Sequence, residues 1–244
     1  METDDRTDGP KWSLWDVLLV LVLLFCIIPV SWATRNLVKQ AISAVGLPGT
    51  GMGGLFLFVG TLVQAMIMVL AVVFLTRRKG ATVKDLGLVR PHVKNGILLG
   101  LAGGLALGIG VVGVGALISM ITGPPPPQDV ERLLAGLKSG KDILLPFISV
   151  SILAPISEEL YFRGMAYPVI RNRFGPVLAM VISATFFGAL HFDLYRLIPI
   201  TIGGTVLAYF YEKTGSLLTS MVAHSTWNTF MLLLMYAGGS RLAN

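Results

Sequence analysis

The longest charge-free runs decide what this chain can fold into. Leu55 to Thr76 and Gly96 to Ile121 contain no Asp, Glu, Lys or Arg. A helix needs about 20 mostly apolar residues to cross the hydrocarbon of a bilayer. There, every backbone N–H and C=O must bond within its own segment, so such runs fold as spanning helices. Val17 to Ala33 is another charge-free run, its span beginning near Leu14. Further apolar stretches start at Ile143, near Pro176, near Leu197 and at Ser216, the last running towards Gly238. The expectation is an all-α, polytopic membrane bundle of about seven transmembrane helices, or eight if one segment breaks. It forms a single transmembrane domain over residues 1–244.

Composition agrees. The chain is 54% apolar and 13% charged, where soluble domains average about 25% charged, and its mean hydropathy is +0.77. A net charge of +6 raises the thought of nucleic acid. The basic residues lie between the apolar runs, as topology determinants do, so the lipid bilayer is the expected partner and nucleic acid is not. Cys26 is the only cysteine, which excludes a disulfide within the chain. Met1 to Lys11 carries four acidic residues and no basic n-region, so the first run reads as a retained span.

Twelve of the 19 Lys and Arg fall on one set of alternate segments: the N-terminus, the Arg77 to Lys94 loop, Arg163 to Arg173, and Lys213. Seven fall on the other: Arg35 and Lys39, Arg132 to Lys141, Arg196 and Arg241. The positive-inside rule then places the N-terminus in the cytoplasm.

In the third span, Gly96, Gly100, Gly104 and Gly108 share one helix face and invite a close neighbour. Gly108, Gly110 and Gly113 match a dinucleotide fingerprint, rejected because they lie inside an apolar run, not between a strand and a helix. Pro124 to Pro127 is a polyproline segment. Val130, Leu133, Leu134 and Leu137 follow at helical spacing and predict a short helix on the membrane surface.

Ionisable groups at membrane depth are functional candidates. Glu159 and Arg163 are four residues apart, share a face and can pair. Glu158 is rotated by about 100° from Glu159. It is left without a local partner, which suits a general base. Phe187 and His191 share a face, as do His224 and Asn228. If the fourth and fifth spans turn at Phe174-Gly175-Pro176, Glu158 and His191 both lie about 24 Å from the turn. From the later turn at Thr214-Gly215, His224 and Asn228 lie about 13 and 20 Å along the seventh span. The four side chains are thus free to converge on one chamber.

Pro155-Ile156-Ser157-Glu158-Glu159-Leu160-Tyr161-Phe162-Arg163-Gly164 resembles the first signature of the CAAX-processing and bacteriocin-protection family. Phe187-x-x-x-His191 and His224-x-x-x-Asn228 resemble its second and third. The resemblance covers residues 143–235, a CAAX-protease-like catalytic core similar to the type II CAAX prenyl endopeptidases. It implies an intramembrane endopeptidase acting on a membrane-associated or lipidated protein in a bacterial inner membrane. Glu158 would activate water, helped by His191. His224 and Asn228 would stabilise the oxyanion. Glu159 and Arg163 would hold the site or contact substrate, beside Phe187.

Metal is not fixed by these motifs. Glu158, His191 and His224 could supply a zinc set. No His-Glu-x-x-His is present and the three lie on different spans, so the favoured expectation is no cofactor, with zinc as the alternative. Two further readings of the same residues stand beside the peptidase. One is a non-catalytic bacteriocin-immunity or binding protein of the same fold. The other is a proton-coupled transporter with Glu158, His191 and His224 as its relay.

Overall fold

The structure, a computed structural model, describes residues 9–44, 52–88, 93–137 and 140–242. Its helices are α1 (Leu14–Ala44), α2 (Gly53–Arg78), α3 (Val93–Thr122), α4 (Asp129–Ala135), α5 (Leu144–Ile148), α6 (Ala154–Glu159), α7 (Tyr167–Ala189), α8 (Leu197–Thr214) and α9 (Leu217–Leu242). The π-helical turns Ser149–Leu153 and Leu160–Ala166 join α5, α6 and α7 end to end. Among the described residues, Gly53–Arg78, Val93–Thr122 and Lys141–Ala189 are long and apolar enough to cross a membrane. Leu14–Cys26 is a shorter apolar helical stretch. The protein is a helical membrane bundle, as expected.

The stretch ending at Ala189 is two limbs. A straight helix would separate Phe162 from Phe187 by roughly 37 Å, yet their rings meet edge to face at 5.0 Å. The chain reverses at Gly175, whose φ of 75° and ψ of 170° lie outside helical space, with Pro176 following. Glycine takes a positive φ without a Cβ clash. Nothing lies within 4 Å of where a Cβ would sit, so the conformation and not crowding demands glycine there. Phe162 lies twelve residues before Phe174 and Phe187 twelve after Gly175, the register the sequence predicted. With the two limbs counted separately, the described residues form seven long helical limbs and the short α4.

Two expectations need adjusting. The first span was placed over Val17 to Ala33 with Arg35 and Lys39 beyond it. Instead α1 runs on through both residues to Ala44, because no Gly or Pro interrupts the sequence there. The predicted surface helix forms as α4, but its apolar side faces the protein: Leu134 is 3% exposed and Val130 lines an internal chamber.

The glycine face of α3 packs on α9. A Cβ at Gly96 or Gly100 would meet Thr219 or Val222 at 2.8 Å, one at Gly104 would collide with the Ala223 carbonyl, and one at Gly108 would meet Phe230 at 2.7 Å. The two backbones approach because no side chain intervenes.

One end of the bundle gathers the segments that carry most basic residues. Lys11 donates to Asp85 at 3.1 Å and to the Gly80 carbonyl at 3.3 Å. Trp12, 4% exposed, donates from Nε1 to the Met165 carbonyl at 2.8 Å. Leu217 donates to the Gly87 carbonyl at 2.9 Å, and Arg171 pairs with Glu212 at 2.9 Å. Arg6, Arg90 and Lys138 of the charge count lie outside the described residues.

Two outcomes follow. Gly104→Val is expected to destabilise by about 1–3 kcal/mol through overpacking, while Gly110→Val, with nothing within 4 Å of its Cβ, should melt like the parent in detergent. A cysteine at exposed Lys84, in a Cys26→Ala background, should resist an impermeant thiol reagent in intact cells and react after lysis. Labelling before lysis would invert the orientation.

Candidate active site

The glutamate motif sits where the helix is irregular, and the sequence supplies the reason. At the end of the first π turn, Ala154 bonds back to the Ser149 carbonyl. The next residue is Pro155, which has no N–H. The Val150 carbonyl therefore lacks its helical donor, and the Asn228 side chain supplies one from α9 at 2.9 Å. The second π turn runs into Pro168, near where Trp12 caps the Met165 carbonyl. Single π turns inside α-helices recur at functional sites because they re-aim side chains.

Beneath the site lies a buried charge pair. Glu159 and Arg163 are each 0% exposed, and Nη1 donates to Oε1 at 2.9 Å. Arg163 Nη2 donates to the Gly204 carbonyl at 2.8 Å. Its guanidinium also lies over the rings of Phe187, at 5.0 Å, and Phe162, at 5.8 Å. Gly204 permits this approach: a Cβ there would press on Ala184 and Phe187 at 3.1 and 3.2 Å. Neither Glu159 nor Arg163 lines the two cavities described below; both are packed beneath their shared wall.

Glu159 also fixes His224. Its Oε1 lies 2.9 Å from His224 Nδ1, so with the carboxylate ionised Nδ1 carries the proton. That directs Nε2 to the other side, where Glu158 Oε2 lies 3.8 Å away. The imidazole stacks on Trp227, with ring centres 5.6 Å apart. The Trp227 benzene edge in turn seats against Gly203, where any side chain would collide with it.

His191 follows α7, in the turn before α8. Its Nδ1 lies 2.9 Å from the Phe187 carbonyl. A carbonyl only accepts, so Nδ1 carries the proton and Nε2 is left with a free lone pair. Phe187 meets His191 edge to face at 4.8 Å and His224 at 5.7 Å, spacing the two imidazoles apart.

Two cavities share this wall. A chamber of about 470 Å³ is lined by Glu158, Phe187, His191, His224 and Asn228, with Trp227 and residues of α3 and α4 completing it. A cleft of about 190 Å³ lies on the other side of Glu158, Phe187 and His191, walled by Leu21, Leu24, Phe25 and Met68 among others. The chamber's far end is closed by Arg196. This residue donates to Asp193 at 2.6 Å and to the Pro126 carbonyl at 3.1 Å, and lies 3.7 Å from Glu131. Burial raises the Asp193 carboxyl, but bonds from the Arg196 side chain and backbone more than reverse that, so it sits below the ordinary aspartate range. After His191 the chain turns through Phe192, a non-glycine residue at φ 52°, whose ring meets Phe25 at 6.1 Å.

Every site residue expected from sequence is thus placed on one wall or directly beneath it. Gly203, Gly204, Trp227 and the α2 residue Gln64, which lines the cleft, were not read from the sequence. The Gly203-Gly204 pair inside an apolar span was the available signal. Among the described residues no three histidine, cysteine or carboxylate groups cluster closely enough to hold a metal ion. Glu158, His191 and His224 line one chamber but are not gathered as a ligand set, and no step below is routed through a metal.

A family model described as type II CAAX prenyl endopeptidase Rce1-like matches residues 140–230. An "Uncharacterized 24.3 kDa protein" of Escherichia coli is 30% identical over 210 residues, 84% of this chain and 90% of its own length. "Putative membrane peptidase YdiL" of Bacillus subtilis (strain 168) is 30% identical over 107 residues, 44% of each chain. "UPF0177 protein YxdF" of Lactococcus lactis subsp. lactis (strain IL1403) is 32% identical over 83 residues, 33% of this chain and 45% of its own. The chain therefore spans less than half the length of YdiL and YxdF in these matches. No solved structure matches. The helical membrane bundle and these matches agree on one family. The chain belongs to the CAAX-processing and bacteriocin-protection family.

The ion pair gives the site its sharpest test. Glu159→Gln leaves Arg163 buried without its countercharge, a loss of about 3–5 kcal/mol. The expected result is a strongly lowered melting temperature or little folded protein in detergent. A melt like the parent's would contradict the pairing.

Proposed function

We propose that this chain is an intramembrane endopeptidase that hydrolyses a peptide bond of a membrane-associated or lipidated, CAAX-like protein. The observation that carries this reading is the shared wall. Glu158 on α6, His191 in the turn after α7 and His224 on α9 line one chamber, and His224 is held from behind by Glu159, itself paired with Arg163.

Chemistry follows from the two imidazole orientations. A water between Glu158 and His191 donates one hydrogen to the carboxylate and the other to the free His191 Nε2. Glu158 takes the proton as the water oxygen attacks the scissile carbonyl. The oxyanion forms opposite, facing His224 Nε2, which donates when that nitrogen is protonated. Asn228 contributes through its second amide hydrogen, the first being spent on Val150. Donors fixed in place before reaction stabilise developing charge without reorganising. The tetrahedral centre collapses, and Glu158 passes its proton to the leaving amine. Glu159 remains ionised throughout and keeps His224 in one orientation, the positioning role a buried carboxylate fills behind a catalytic imidazole.

The apolar cleft beside Glu158 supports a substrate that is itself membrane-embedded or lipidated. Positive charge gathered at one end of the bundle supports delivery from the cytoplasmic face of a bacterial inner membrane.

The reading is tested in proteoliposomes with a quenched-fluorescent farnesylated CAAX peptide and its unprenylated twin. Glu158→Gln should melt like the parent and cleave at least about 100-fold more slowly, the usual loss on removing a general base. Equal rates for the two proteins would overturn the mechanism. Activity should also survive chelator treatment. Loss to chelator with recovery on adding zinc would replace the glutamate–histidine scheme with a metal-centred one.

A further inference from the structure

Gln64 is a polar residue where the bilayer leaves least room for one. It lies in α2 inside the charge-free run Leu55 to Thr76. It is eleven residues from Gly53 and fourteen from Arg78, so about 16 Å of helix on one side and 21 Å on the other separate it from the two ends. Lipid headgroups do not reach that depth. Yet its side chain is exposed, and no described residue donates to or accepts from its amide. An unpaired carboxamide in hydrocarbon is strongly disfavoured. Apolar residues surround it in sequence, and nothing in the packing of α2 requires an amide at this point.

Its side chain lines the cleft that also contains Glu158, Tyr161, Phe187 and His191. Met68, one turn further along α2, lines the same cleft. Thr61, one turn earlier, lines the larger chamber on the other side of the catalytic wall. This face of α2 therefore runs past the reacting centre from one cavity to the other. A substrate brought there has the same problem as Gln64: an extended peptide at membrane depth exposes N–H and C=O groups that lipid cannot bond. A carboxamide presents one donor edge and one acceptor, the same pair a peptide group presents.

We propose that Gln64 is a substrate-binding residue whose carboxamide pairs with the backbone N–H and C=O of an extended peptide laid in the cleft beside Glu158 and His191. The proposal rests on the peptidase reading above and adds to it a residue outside the three motifs. It makes recognition at this point independent of substrate side chains, because only the main chain is read.

The test uses full-length protein in proteoliposomes and the farnesylated reporter peptide. Gln64→Leu should raise KM about tenfold with kcat within about twofold, the loss of two hydrogen bonds in a poorly hydrated site. Gln64→Asn, shorter by one methylene, should recover part of it. The melting temperature of Gln64→Leu should be unchanged or higher, since an unpaired amide has been replaced by an apolar side chain. A series of reporters in which each backbone N–H flanking the scissile bond is replaced in turn by an ester oxygen gives the pairing directly. One ester should weaken binding to the parent and leave binding to Gln64→Leu unaffected. An unchanged KM, or a lowered melting temperature, would overturn the proposal. Gln64→Leu cleaving normally while Glu158→Gln is inactive would remove Gln64 from the site and leave the peptidase standing. Glu158→Gln cleaving normally would remove the peptidase itself.

Discussion

A carboxylate and a guanidinium sealed inside a membrane protein constrain everything around them. Moving either charge out of water costs several kcal/mol, recovered only when the pair is close and its remaining hydrogen-bonding groups are satisfied. Glu159 and Arg163 meet most of that condition by recruiting neighbours: the Gly204 carbonyl from α8, His224 from α9, and the faces of Phe162 and Phe187; Glu159 Oε2 and Arg163 Nε find no hydrogen-bond partner among the described residues. Each contact is also a register mark. A turn's slip of α8 would remove the carbonyl, and a slip of α9 would remove the imidazole. The orientation of His224 is thus a by-product of neutralising a buried ion pair. Two identical adjacent residues do opposite work for the same reason. The helix turns Glu159 into the packed interior and Glu158 to the cavity wall, so burial separates the two.

The second constraint is backbone accounting. Lipid offers no hydrogen bonds, so a carbonyl that loses its helical donor must find another within the protein. Pro155 creates such a carbonyl at Val150, and Asn228 answers it. The proline, the π turn and the asparagine form one device that ties the glutamate helix to the histidine helix. Asn228 has two amide hydrogens, which lets this structural bond coexist with a role facing the chamber.

Much of this arrangement was legible in the sequence, for identifiable reasons. Local periodicity gave the Glu159–Arg163 pair and the glycine face of α3, because both depend only on spacing along one helix. The hairpin register was legible because Gly175-Pro176 is a strong turn signal and helical rise is constant. What escaped depends on contacts between distant segments. The link from Glu159 to His224 spans 65 residues, and spacing along one helix cannot show it. At the first π turn the carbonyl that Pro155 leaves free is met by an amide from another helix, so Pro155 alone announces a break and not its form. The continuation of α1 past Arg35 was missed because charge was read as a boundary, whereas a charged side chain does not by itself end a helix. The apolar side of α4 was assigned to lipid because its sequence pattern is the same whether lipid or protein covers it.

The three motifs occupy only the last part of the chain, yet they do not enclose a cavity. Gln64 and Met68 of α2 wall the cleft, Val111 and Ser119 of α3 and Val130 of α4 wall the chamber, and Leu21 and Phe25 of α1 close the cleft's lipid side. The division follows from the chemistry. Activating water and holding an oxyanion need few groups in fixed geometry, which short motifs encode. Enclosing a membrane-embedded chain needs area and shape, which many apolar sequences supply equally well. Glycine-lined contact between α3 and α9 brings the two parts together: it seats the apolar wall directly against the helix that carries His224 and Asn228. The shape of the cavities is thus set largely by α1 to α4, while the charge pair beneath them holds His224 in place.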